Sequence, residues 1–173
     1  MSASAPRILV AGIGNIFLGD DAFGVEVVRV LSRRSLPPSV RLVDFGIRGL
    51  DLAYELLEGY DLTILIDATV RGGAPGTLYT LEPEVPGAAS DEIEVHGMTP
   101  VKVLALASRL GGTIGRVVLV GCEPVPLDPG ADPLEIPAGL SAPVERAVET
   151  AADRVVALVQ GVIPYVASLH EKE

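Results

Sequence analysis

Asp21, Asp44, Asp67 and His96 are the residues of this chain whose types and places could do chemistry together. Each aspartate stands at or soon after the end of an apolar run, and the histidine stands in a loop just ahead of a helix start at Thr99-Pro100. Two carboxylates and an imidazole make an incomplete, hard-to-borderline coordination set. Such a set suits zinc, nickel or a similar ion with positions left open for a substrate. Plainer roles exist for each residue: an aspartate at a strand end is often a turn or cap residue, and Asp20 or Asp21 could cap the helix that follows them. Asp44 also stands where a dinucleotide-binding fold places its ribose-binding acid.

A dinucleotide fingerprint competes for the same loop, because Gly12-Ile13-Gly14 follows an apolar run. Phe17 stands where the third glycine is needed. Asp20 and Asp21 lie where a pyrophosphate would meet the helix N-terminus, and they repel an anion and attract a cation. A small nucleotide-binding module using the Gly12–Asn15 turn and Asp44 is therefore the second reading. Cys122 with His96 could form a nucleophile and base, but a sole cysteine after a buried strand reads better as a small core hydrophobe. His170 is a weaker candidate still, and no serine sits in a nucleophile elbow.

The elements that must position these groups alternate between strand and helix. Ile8–Val10, Val40–Phe45, Leu62–Ile66 and Arg116–Val120 read as strands, the first and third covered on both faces, and the first three lead to Asp21, Asp44 and Asp67. Phe23, Val27, Val30 and Leu31 share one helical face, as do Leu50, Ala53, Tyr54 and Leu57. A helix from Thr99-Pro100 to Gly111 and another opening at Ser141 with a stripe through Val159 complete the set, and residues after Gly161 read as peripheral. Thr77–Leu81 alternates as a strand, and its short connection to the third strand rules out a parallel crossover. The pattern predicts that strands three and four are antiparallel neighbours. Residues 82–95 and 124–137 read as exposed loops. Right-handed connections then bring the strand ends to one edge and a shared crevice.

With 173 residues, 49% of them hydrophobic and 21% charged, the chain fits a single domain, 1–173, with its core from about residue 7 to residue 160. A formal charge of -10 argues against general affinity for nucleic acid or anionic membrane. No secretory hydrophobic region or clean bilayer-spanning stretch is evident, so the cytoplasm is the expected location. One cysteine allows neither an internal disulfide nor a structural thiolate zinc site.

Four separated motifs carry a resemblance: RILVAGIGNIFLGDDAFGVEVV, VRLVDFGIRGLDLAYELLEGYDLTILIDA, HGMTPVKVL and GLSAPVERAVE. In this order, from about Arg7 to Val159, they resemble the hydrogenase maturation proteases, endopeptidases that remove a C-terminal extension from the large subunit of nickel-iron hydrogenases. The resemblance implies an α/β, three-layer fold, a mixed but mostly parallel five-stranded sheet flanked by helices, of the phosphorylase/hydrolase-like kind. It implies that Asp21, Asp67 and His96 are the catalytic, metal-contacting residues, although relatives commonly carry Glu at the first position. Asn15, Asp44, Gly46 and Arg48 would border the peptide cleft. The metal would be nickel already lodged in the precursor large subunit, with no organic cofactor. The precursor is the implied partner of a monomeric enzyme.

Overall fold

The computed structural model describes residues 4–85 and 99–170, with side chains as far as residue 163. The chain runs β1 (Ile8–Ile13), α1 (Phe23–Leu31), β2 (Val40–Gly46), α2 (Gly49–Leu56), β3 (Leu62–Ala68), β4 (Leu78–Leu81), α3 (Pro100–Arg109), β5 (Arg116–Cys122) and α4 (Ala142–His170). The sheet order is β2-β1-β3-β5-β4, and all strands but β4 are parallel.

Apolar runs become strands here because both sides of the sheet are covered. On one face Ile8, Val10, Ile64, Ile66, Val118 and Val120 pack with Phe23 and Val27 of α1 and Val148 and Val155 of α4. On the other, Leu9, Ala11, Leu65, Val117 and Leu119 pack with Leu52 and Leu56 of α2 and Val103 and Leu104 of α3. The result is the three-layer, mostly parallel α/β architecture read from the sequence. At the start of α3, Thr99 Oγ1 accepts from the Lys102 N–H at 3.4 Å, and Pro100 fills the first helical position.

Two expectations are corrected. β4 is antiparallel to its neighbour, but that neighbour is β5 and not β3. A short connection forbids a parallel crossover without requiring adjacency, because two strand spacings are only about 10 Å and a nine-residue link spans more than that. The link is instead laced to the end of β5: Thr69 N–H donates to the Cys122 carbonyl, Gly76 N–H to the Glu123 carbonyl and Glu123 N–H to the Thr77 carbonyl, each at 2.8 Å. Nor are the residues just after Gly161 wholly peripheral. α4 continues to His170, and Val162 and Ile163 pack against the core.

β1 is joined to β2 on one side and flanked by β3 on the other, so the crevice opens between the carboxyl ends of β1 and β3. α1 enters directly over it, at a distance only glycine permits. A Cβ on Gly24 would lie 2.1 Å from the Ile66 carbonyl oxygen and 2.3 Å from that of Ile13, while one on Gly12 would lie 2.5 Å from the Gly24 oxygen. Gly24→Ala is expected to lift α1 off the strand ends and to destabilise the fold by roughly 1–3 kcal/mol, as overpacking does. Denaturant titration checks this; an unchanged midpoint would mean that the close approach carries no weight.

Candidate functional site

Asp67 is the last residue but one of β3, in register with Gly121 of β5. Strand alternation puts it on the α2/α3 side of the sheet with Leu65. α3 runs back along the strands, so its Thr99 start also belongs to the carboxyl edge on this side. Asp21 comes from the opposite direction, in a 3-10 turn, Gly19–Ala22, that leads into α1. The loop before it is tightly folded: Asn15 N–H donates to Asp21 Oδ2 at 2.8 Å, and Phe17 N–H donates to Asn15 Oδ1 at 2.9 Å. Gly14 has φ 141°, and a Cβ there would fall 1.8 Å from the Asp21 carbonyl oxygen.

The two carboxylates feel one another. Burial first, and then the charge of Asp21, push the Asp67 carboxyl from an ordinary 3.8 up to about 8, and only the Ala68 backbone N–H pulls it down. A neutral acid at physiological pH beside an aspartate is an arrangement that a cation would relieve. His96 lies outside the described residues, and among the described residues no three His, Cys, Asp or Glu side chains are grouped to hold a metal.

The expected cleft residues divide. Gly46, at φ 54°, accepts through its carbonyl from the Gly14 N–H at 3.0 Å, so it and Asn15 belong to the loop that holds Asp21. Asp44 and Arg48 are exposed on the rim. Alternation places Asp44 on the α1/α4 side, away from Asp67. Arg48 Nη2 donates to the Asp44 carbonyl at 2.5 Å, its Nη1 lies 3.3 Å from Asp51, and its guanidinium is 5.7 Å from the Phe45 ring centre.

Neither Asp20 nor Asp21 caps a helix through its side chain. Asp20 ties the first loop to distant chain: Oδ1 accepts from Ser141 N–H at 2.7 Å, and Oδ2 from Val125 N–H and Ser141 Oγ–H, both at 2.9 Å. Glu123, which the sequence places near the same edge after β5 without a role, is a second anchor and is buried. Its carboxylate accepts from Tyr79 O–H at 2.7 Å, Arg71 N–H at 2.8 Å and Gly72 N–H at 3.1 Å, fixing the turn after Asp67. The Tyr79 bond leads the interactions that hold its carboxyl below the usual range. The signal was present as an acid directly after a buried strand, with a Gly-Gly turn elsewhere supplying free N–H groups. Cys122 is fully buried, and burial, followed by Asp20 and Glu123, pushes its thiol up to about 11. A buried thiol pushed upward in this way has little thiolate at neutral pH, which fits the packing role read from the sequence.

Fold and edge together define an α/β protein with a carboxylate pair at a topological switch point. A profile of the hydrogenase maturation protease family matches residues 25–158, and the chain belongs to that family. It is 35% identical to the hydrogenase 2 maturation protease of Escherichia coli over 157 residues, covering 89% of this chain and 91% of the relative. Against the hydrogenase expression/formation protein HupD of Rhodobacter capsulatus it is 38% identical, covering 70% of this chain but only 59% of that protein. The solved structure of the E. coli maturating endopeptidase HybD superposes with a TM-score of 0.70 at 33% identity, over 90% of this chain and 93% of that one. A hydrogenase 2 maturation peptidase from a Thaumarchaeota archaeon gives 0.66 at 34% identity, over 89% and 98%.

The raised carboxyl has a sign that can be measured in metal-free protein. Asp67 ionises in the unfolded chain near 3.8 but in the folded chain near 8, so stability is lost as pH rises through that window. Asp67→Asn should flatten this decline, making the variant more stable than the parent at pH 8 and not at pH 3.5. Parallel melts across the window test it; curves with the same slope would show that the carboxyl is not held neutral.

Proposed function

We propose that this chain is an endopeptidase that removes the C-terminal extension of a nickel-iron hydrogenase large-subunit precursor after nickel insertion, acting as a monomer in the cytoplasm. What supports the reading is the family match together with the placement of Asp67 at the carboxyl edge, buried and near enough to Asp21 for that charge to raise its carboxyl. Nickel belongs to the substrate in this account. Asp21, Asp67 and His96 engage it, and that engagement sets one peptide bond of the precursor against the edge. As the ion docks, Asp67 gives up its proton and both carboxylates become donors. The exposed rim of Asp44 and Arg48 borders the path of the peptide.

The nucleotide-binding alternative loses its main support in the first loop. The Asn15 N–H at the end of that turn is occupied by the Asp21 carboxylate, whose charge also repels a phosphate.

Nickel-loaded and nickel-free precursors incubated with the protein and followed by intact mass test the proposal. The loaded form should be trimmed and the free form left whole; equal cleavage of both would remove nickel recognition. Asp67→Asn and His96→Ala should each abolish trimming while the fold persists. Cys122→Ala should trim normally at a stability cost of about 1 kcal/mol. Loss of cleavage in a folded Cys122→Ala protein would restore the thiol to the chemistry.

A further inference from the structure

We infer that Asp20 is the residue that sets the position of Asp21, and through it the geometry of the carboxylate pair. The inference that this placement matters for turnover rests on the reading of Asp21 given above. Asp20 does not face the crevice chemistry itself. Its two oxygens take three donors from chain 105 and 121 residues away, namely the backbone N–H of Val125 beyond β5 and both the N–H and hydroxyl of Ser141 at the head of α4. The 3-10 turn that carries Asp21 is thereby fastened on its outer side to the loop that leaves β5 and to the residue that precedes α4. On the inner side the Asp21 carboxylate takes the Asn15 N–H, and its backbone N–H donates to the Leu18 carbonyl at 3.1 Å. A turn of four residues has little rigidity of its own; the close approach of α1 brings it over the sheet, and these external bonds fix where its second aspartate stands within that space.

The geometry also says why asparagine is not an adequate substitute. Asp20 only accepts, and all three of its partners are presented as donors. An asparagine can keep the Ser141 N–H on its oxygen, and the Ser141 hydroxyl can rotate to accept from its amide. The Val125 N–H then faces an NH2 group, so the turn must shift to separate two donors. Glutamate would retain the charge, but its extra methylene would push the turn away from both anchors.

The Asn15 amide reports directly on where the Asp21 carboxylate lies, independently of catalysis. In Asp20→Asn its proton resonance should move upfield and its hydrogen exchange should accelerate. Turnover of nickel-loaded precursor should fall about 10–100-fold with KM little changed, the scale expected for a displaced catalytic group. Ser141→Ala, which removes one donor of three, should shift the same amide in the same direction by less, and it serves if Asp20→Asn does not fold. Val155→Ala, a fully buried site in α4 toward the other edge of the sheet, supplies a destabilised control. It should leave the Asn15 amide and turnover unchanged well below its melting temperature.

An Asn15 amide unmoved in both Asp20→Asn and Ser141→Ala would overturn the positioning role, as would an equal effect in Val155→Ala. A displaced amide with normal turnover in both Asp20→Asn and Asp21→Asn would uphold the positioning of Asp21 while discarding its catalytic reading. Loss of turnover in Asp21→Asn with an undisturbed Asp20→Asn would do the reverse.

Discussion

The contact on which the site depends is one of backbone against backbone: the first turn of α1 resting on the carbonyl ends of β1 and β3. A hydrogen at position 24 and another at position 12 let the helix close to where any side chain would be excluded. That approach draws the preceding turn, and Asp21 with it, over the end of β3. Without it the two aspartates would belong to separate loops. With it, one carboxyl is buried beside the charge of the other.

Asp20, Glu123 and Asp67 lie along the same edge, but their surroundings differ. Asp20 and Glu123 are each supplied with three donors, so their charge is answered by backbone and hydroxyl groups of the protein. Asp67 has burial and a like charge instead. A carboxylate that is fully answered holds chain together, while one left short of donors keeps its capacity for an outside partner. The division explains how an acidic edge can be firm and receptive at once.

Much of this was legible in the sequence because it follows local rules. Runs such as Leu62–Ile66 could only be strands covered on both faces, and a strand so read delivers Asp67 to the edge by its length alone. Thr99-Pro100 announced a helix start by the chemistry of its cap. What escaped was long-range. The partner of β4 is not written in Leu78–Leu81, because an edge strand carries no local mark of the neighbour it joins. Asp20 was read as a cap since its true partners, Val125 and Ser141, lie beyond any window a periodicity can span. The residues after Gly161 read as peripheral, yet Val162 and Ile163 find apolar surface and the helix goes on. His96 stays an expectation of sequence, outside the described residues.

The burial of Cys122 has a consequence for metal traffic. Nickel prefers thiolate donors to carboxylates when both are offered, and this chain has a single thiol, sealed in its core. The described edge therefore offers carboxylates and no sulfur to any soft metal ion. On the reading proposed above, such a surface would meet a metal centre without drawing the ion away from it.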